Sequence, residues 1–434
     1  MHYVYECIMN HTVIGIDDTD SQTLGMCTTY VGHLIVEELR SNGHTVDHAE
    51  LIRLNPAAKH KTRGNASVAI HTSAPVDDAL STAKEIVFAE SATEDPKTNP
   101  GIVVGTTSQI ENEPFLDNYT LRAIRELFNL ETITSFLEQS DLQSEFRGLG
   151  RGRIGALAAV SAYRSLTDWT YEYISYREPE AFGTERSVDI ESVFEADKLE
   201  YPTVWDTVDY PTGSAICIPH TPCPILYGIR GDDSTAVKNV TQHINNETSP
   251  TAQLFKTNQG TDVHLQEGTT ETATEDSSYT IQCTVTEEST RKEGGHAHFE
   301  VADQYGTLDV VAFSPTGDFR NFVDKLRTGD SIVICGEISD NTLKLEKFKV
   351  LSLNTVDIVN PTCPDCGKSM SSAGKNAGYR CRDCKNHQDT KDVIEVSRDL
   401  KTQWYEVPPT ARRHIAKPLV RDPTEQSNTY RQSN

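Results

Sequence analysis

Short apolar runs alternate with helix-spaced stretches over residues 13–135. "VIGI" predicts a buried strand; Val31, Leu34, Ile35 and Leu39 then share one helical stripe that stops at Asn42-Gly43. "AELIRL", "ASVAIHT" and "GIVVG" predict further strands, so this part of the chain is α/β or α+β. A glycine-rich turn near residue 150 leads into the small-residue helix "GALAAVSAYRS", and strands follow at "YEYISYR" and "PILYGIR". "LQSEFR", just before that turn, carries no strand pattern. Residues 266–278, "QEGTTETATEDSS", are polar, acidic and aperiodic and predict a linker.

The alternation is clearest between 279 and 353. "YTIQCTVTEES", "GHAHFEVADQYG" and "TLDVVAFSP" predict three strands, "DFRNFVDKLRTG" a short helix, and "SIVICGEIS" and "TLKLEKFKVLSL" two more strands. Three strands, a helix and two strands fit an OB-fold, whose barrel face takes oligonucleotides; another small β-barrel fits the pattern equally.

Charge alters the picture less than its size implies. The 434 residues carry 64 acidic and 40 basic side chains, a net charge of −24, which by itself argues against nucleic acid. Residues 361–434, however, hold 13 Lys+Arg against 9 Asp+Glu, and a basic end on an acidic body keeps an acidic partner open. The acidity reads as adaptation to very high salt, where a Debye length of about 3 Å at 1 M screens like-charge repulsion. No apolar run approaches the roughly 18 residues of a membrane span. "MHYVYECIMN" lacks the pattern of an export signal, and Met9 offers a second possible start. Ten cysteines in such a chain predict thiols and metal rather than disulfides, and a cytoplasmic setting.

Cys363, Cys366, Cys381 and Cys384 form two C-x-x-C knuckles separated by 14 residues. Each knuckle brings two thiolates to one Zn²⁺, and the pair closes a tetrahedron with no open position, so the site is structural. "GKS" at 367–369 is no phosphate loop, because Thr362 stands where that loop needs glycine.

Three other stretches carry possible chemistry. "GIDDTDSQTLGMCTTY" puts Asp17, Asp18 and Asp20 at a strand end and Thr28 at a helix start. In an extended chain Asp18 and Asp20 would share one side. Carboxylates there suit Mg²⁺, although turn-forming Asp and a capping Thr explain the same residues more simply. "RLNPAAKHKTRGN" places Arg53, Lys61 and Arg63 around one loop, able to neutralise phosphate or to be a solvated turn. "GLGRGRIGA" has Gly150, Gly152 and Gly155 at a helix start with Arg151 and Arg153, fit for phosphate or for close packing.

Taken in order, these segments, with "TPCPILYGIRG", the OB pattern, the knuckles and "ARRHIAKPL", resemble the archaeal tRNA-Ile 2-agmatinylcytidine synthetase family over nearly the whole chain. The resemblance implies a multidomain α+β protein. Its parts would be a kinase-like α/β domain (10–137), a ferredoxin-like domain (138–262), an acidic linker (263–278), an OB-fold β-barrel (279–355), a zinc ribbon (358–390) and a basic tail (391–434). It implies that ATP activates C2 of the wobble cytidine in a CAU-anticodon tRNA-Ile. Agmatine's amine then displaces the activating group, with AMP and phosphate released, so that AUA is read as isoleucine.

Carried over residue by residue, the resemblance gives Asp17, Asp18 and Asp20 to Mg²⁺ and makes Thr28 the phosphorylated threonine. ATP phosphates would meet Arg53, Lys61, Arg63 and the turn of Gly150, Arg151, Gly152 and Arg153. Agmatine is a dication, and "WDTVDY" offers it Asp206 and Asp209. Arg412, Arg413, Lys417 and Arg421 are expected on tRNA phosphates. A non-catalytic single-strand binder would account for the OB-fold and ribbon but leave the aspartate loop, basic loop and glycine turn unexplained. An RNA ligase would need K-x-[DN]-G, which the sequence lacks.

Overall fold

A computed structural model describes residues 11–59, 61, 64–422, 424 and 427. The alternative start at Met9 and the candidate phosphate ligand Arg63 lie outside the described residues.

The first half of the chain builds one nine-stranded sheet. Its strands are β1 (Thr12–Asp17), β2 (Val46–Arg53), β3 (Ala66–Thr72), β4 (Gly101–Thr106), β5 (Gln143–Phe146), β6 (Thr170–Tyr176), β7 (Val204–Trp205), β8 (Ile225–Gly231) and β9 (Thr251–Thr257). Their spatial order is β5-β4-β1-β3-β2-β9-β6-β8-β7. Helices α1 (Thr28–Ser41) and α2 (Val76–Glu90) cover one face over Ile14, Ile16, Leu51, Val68 and Ile102. Helix α3 (Arg153–Val160), nearly all buried, covers the other over Val13, Ile52, Ala69 and Val103. Alternate residues of the same strands thus serve two cores, which is why these strands read as unbroken apolar runs.

The sheet does not stop at residue 137. Strand β9 pairs in parallel with β2, joining the expected ferredoxin-like part to the first without a gap. Strand β5 pairs with β4, and α3 packs on β1, β3 and β4, so the structure places residues 143–160 on the first part. "LQSEFR" is therefore a strand after all. It lies at the sheet edge, where Gln143, Ser144 and Glu145 need no apolar side, and that hid it from a pattern based on burial.

The barrel has the expected order. Strands β11 (Ser278–Arg291), β12 (Ala297–Ala302), β13 (Thr307–Ala312), β14 (Ser331–Ser339) and β15 (Thr342–Ser352) close through β11–β14 pairing. The supposed linker is part of it: β10 (Leu265–Gly268) pairs in parallel with β11 at Leu265↔Ser278. Asp303 accepts from the Thr270 hydroxyl at 2.6 Å, fixing a segment whose own composition gave no hint of order.

After the barrel, β16 (Val356–Val359) and β17 (Asp392–Glu395) form a ribbon leading out to the cysteine knuckles and back. The chain then adds β18 (Trp404–Glu406) to the barrel beside β15 and crosses onto the first sheet. Among the described residues, no helix is long and apolar enough to cross a membrane.

Candidate active site

The aspartate loop departs from the extended path expected of it. Asp18 adopts φ 59°, a left-handed conformation that Asp tolerates through local hydrogen bonding, and its N–H donates to Asp17 Oδ1 at 2.7 Å. The loop is anchored where Ser21 donates to Asp95 at 2.6 Å and Thr98 donates to the Asp20 carbonyl at 2.8 Å. Cys27, not Thr28, is the N-cap of α1. Thr28 is the first helical residue, and its hydroxyl accepts from Thr19 at 3.0 Å. The simple capping explanation for Thr28 therefore fails.

The glycine turn exists to bring α3 against this loop. A side chain at Gly155 would overlap the Asp17 carboxylate, and one at Gly152 would lie 2.5 Å from the Asp17 carbonyl oxygen. Gly150, at φ +68°, makes the turn itself. Packing and placement are thus one device: only glycine lets the helix start touch the strand end that carries Asp17.

Together these elements wall a cavity of about 770 Å³, shared by the first sheet and the loop of residues 214–221. Asp17, Asp18, Asp20 and Thr28 line it, as do Arg53, Lys61 and Arg151. Burial pushes the Asp17 carboxyl well above the usual range, and the neighbouring Asp18 pushes it further. Burial likewise raises Asp18, to about 7, against the opposing pull of Arg151, whose Nε stands 3.9 Å away. Carboxyls so destabilised as anions favour a bound cation, and an all-oxygen set at a cavity wall fits Mg²⁺ with nucleotide phosphate.

Arg53 is held for the cavity by the second part of the sheet. Its N–H donates to Asn258 at 2.7 Å and its guanidinium to Gln259 at 3.0 and 3.2 Å. Glu172 lies 4.0 Å from Arg53 and 3.4 Å from Arg230. One carboxylate between two guanidiniums leaves net positive charge facing the cavity. Glu172, Arg230 and His414 all line it, and the sequence alone assigned none of them to a site. The available signal was a charged residue inside an otherwise apolar strand, Glu172 in "YEYISY" and Arg230 in "PILYGIR".

Several expected site residues face elsewhere. Arg153 lies over the Phe146 ring at 4.0 Å and donates to Thr134 at 3.0 Å, which makes it an internal brace rather than a phosphate ligand. Gly150 and Gly152 shape the turn and do not line the cavity. Asp206 is ion-paired with Arg412, and Asp209, 1 % exposed, accepts from Thr410 at 2.7 Å. Neither carboxylate lines the cavity, so the pair expected for agmatine holds the tail instead.

The tail correction is the counterpart. Arg412 pairs with Asp206 and with Glu406 at 2.9 Å; Arg413 pairs with Glu337 and with Glu346 at 3.1 Å. Arg421 reaches Asp232 at 2.6 Å and Asp168 at 3.2 Å, and the Lys417 N–H donates to Asp262 at 2.7 Å. These arginines are spent on internal carboxylates, not free for phosphate. The segment is a strap from barrel to sheet, and His414 on it projects into the cavity wall.

The cysteine knuckles form as expected. The sulfurs of Cys363, Cys366, Cys381 and Cys384 lie within 4.8 Å of one another. Asn386 donates to Cys363 Sγ at 3.3 Å and the Cys384 N–H to Cys381 Sγ at 3.4 Å, the N–H···S contacts that thiolates holding a metal attract. The donor set fits tetrahedral Zn²⁺.

Comparison with known proteins gives the same order of parts. The family models for the TiaS TCKD domain (residues 13–75), the TiaS FLD domain (150–264), an OB-fold nucleic acid binding domain (279–351) and the TiaS C-terminal zinc ribbon domain (360–400) match along the chain. The isoleucine-tRNA 2-agmatinylcytidine synthetase TiaS of Haloquadratum walsbyi is 43% identical, covering 94% of this chain and 97% of its own. The chain belongs to the TiaS family. The TiaS of Archaeoglobus fulgidus is 39% identical over 96% of this chain and 99% of its own. Among solved structures, apo TiaS superposes with a TM-score of 0.84 at 37% identity, covering 97% of this chain and 100% of that one. A complex of TiaS with its isoleucine tRNA, AMPCPP and agmatine gives 0.86 at 35%, again over 97% and 100%.

Proposed function

We propose that this chain joins agmatine to C2 of the wobble cytidine of CAU-anticodon tRNA-Ile in an ATP-dependent reaction, in the cytoplasm. The observation that carries the reading is the single cavity in which the aspartate loop, Thr28, Arg53, Lys61 and Arg151 meet. A C2 carbonyl is a poor electrophile, and phosphorylation gives it a leaving group. In this reading Asp17, Asp18 and Asp20 hold Mg²⁺, which would neutralise developing phosphoryl charge. Thr28, the first helical residue beside them, receives phosphate. Arg53, Lys61 and Arg151 hold the triphosphate.

Outside the aspartate loop, the carboxylates on the cavity wall are Glu172, already facing Arg53 and Arg230, and the more exposed Glu126, and in this reading agmatine's cationic end goes to Glu126. The RNA strand comes from the barrel. A cleft of about 530 Å³, lined by Lys59, Lys61, Lys344 and Arg413, shares Arg53, Lys61 and His414 with the cavity and opens toward β14 and β15. A single-strand binder would have no use for buried carboxylates raised so far above their usual range. Incubation with ATP, agmatine and transcribed tRNA-Ile, followed by nucleoside mass analysis, tests the assignment. Recovery of unmodified cytidine from folded, tRNA-binding protein would reject it.

A further inference from the structure

Away from the cavity, on the face of the sheet covered by α3, three metal-ligating side chains converge. His48 and Glu50 are alternate residues of β2, so they point to the same side, and His71 is the cross-strand partner of His48 on β3. The two imidazoles stack at 4.2 Å between centroids. His48 Nε2 lies 3.3 Å from one Glu50 oxygen, and His71 Nε2 lies 3.7 Å from the other. Glu50 is fully buried, yet its Oε2 has no hydrogen-bond partner, and neither has the buried His71 Nε2 that faces it.

A gap of 3.7 Å is too long for a hydrogen bond. It is close to the separation of two ligands of one ion: bonds of about 2.0–2.1 Å in a tetrahedron put donors about 3.3 Å apart. Two orphaned buried atoms at ligand spacing, with a third donor beside them, have a simple resolution. We propose that His48, Glu50 and His71 bind a Zn²⁺-class divalent ion, distinct from the ribbon's.

Two imidazoles and one carboxylate are a zinc-type donor set, unsuited to Mg²⁺. His48, the exposed member, provides the way in. The site has a built-in competitor. Lys256 on β9 is the neighbour of Glu50 across the parallel pairing, with its ammonium 3.6 Å from Oε1 and 4.0 Å from the face of Trp169. Ion and ammonium cannot share one carboxylate cheaply, so binding moves Lys256 toward solvent along the Trp169 face. The same strands carry Arg53 and, just past β9, its partners Asn258 and Gln259. An ion here would fasten β2 to β3 beside the seam that delivers them.

The test is metal stoichiometry of the full chain titrated with Co²⁺ in excess Mg²⁺, which fills oxygen sites. The ribbon reports through thiolate charge transfer. A second equivalent, showing only d–d bands, is expected in the wild type. His71→Ala should weaken it at least tenfold, and His48→Ala, at an exposed position that folding tolerates, should do the same. Lys256→Met should tighten it by a few-fold or more. A wild-type chain that takes up only the ribbon equivalent overturns the proposal, as does a second equivalent indifferent to both histidines. So does Lys256→Met that lowers stability without raising Co²⁺ affinity, since Lys256 would then be the true counter-ion of Glu50.

Discussion

In the cavity, Asp17 and Asp18 stand side by side, and the Arg151 Nε beside Asp18 is 3.9 Å away, too far for a hydrogen bond. In the strap, Arg412 and Arg413 each touch two carboxylates, Asp206 with Glu406 and Glu337 with Glu346. Both regions are dense in charge, and only one is balanced. Unbalanced charge at a cavity wall costs stability and is ready for a ligand; charge paired across distant segments fastens the fold. The sign and density of charge in the sequence are the same kind of signal in both places. The partner decides what it means.

The largest effect should come from the cavity. Asp18→Ala and Thr28→Ala are each expected to lower the modification rate by about 10²-fold or more, on the scale of losing a group that stabilises transferring charge, with tRNA affinity within about twofold of wild type. Rates from nucleoside mass analysis and affinities from filter binding separate the two. Wild-type turnover in either variant would remove the aspartate loop from the chemistry.

The strap should respond in stability instead. Arg412 and Asp206 are both nearly inaccessible, at 5% and 6% side-chain exposure. Truncating one partner strands a buried charge, so Arg412→Ala should cost about 3–5 kcal/mol, while Arg412→Met with Asp206→Asn should recover only part of it, because Glu406 stays unpaired by Arg412. Denaturant unfolding at fixed high salt measures both. An Arg412→Ala chain as stable as wild type would contradict the pairing.

The difference in legibility between the two regions has the same origin. The strands and α1 were readable because burial leaves a local period: Val31, Ile35 and Leu39 occur where helical spacing requires. The knuckles were readable because their ligand spacing is local too, as was the position of the aspartate loop between a strand end and a helix start. Arg412 and Asp206 are 206 positions apart, and nothing near "ARRH" announces Asp206, Glu337 or Glu346. Glu172 and Arg230 meet only because β6 and β8 are sheet neighbours. Strand β10 is ordered by β11 rather than by its own composition. What the sequence hid is what long-range pairing creates.

A smaller effect concerns acid. Burial drives the Glu346 carboxyl up, but His264 at 3.0 Å, Arg413 and Lys347 more than reverse this and hold it at about 2. A folded value below the unfolded one, near 4.5, means that the contribution is complete above about pH 4.5. It is then lost as pH falls toward 2. Glu346→Gln should therefore flatten the acid limb of the stability curve in that window and leave its slope above pH 5 unchanged. An acid limb identical to wild type would place the stabilising charges elsewhere.

The smallest effect sharpens the comparison most, because it asks which cations meet RNA. Arg413 lies in the same cleft as Lys61 and Lys344, yet its guanidinium already holds Glu337 and Glu346, whereas Lys61 donates only to the Pro56 carbonyl among the bonds described for it. Burial, and then Arg413 beside it, lowers the Lys61 ammonium from its ordinary value. Each phosphate neutralised contributes close to one unit of log K against log salt; the coefficient is about 0.7–0.9. Lys61→Ala should therefore flatten the tRNA salt slope by about 1, and Arg421→Ala, remote from the cleft, by nothing measurable. The titration needs the lowest salt at which the fold survives, since counterion release fades as salt rises. If Arg421→Ala flattened the slope as much as Lys61→Ala, the strap would carry phosphate as well as carboxylate, and the division between the two kinds of charge would fail at that residue.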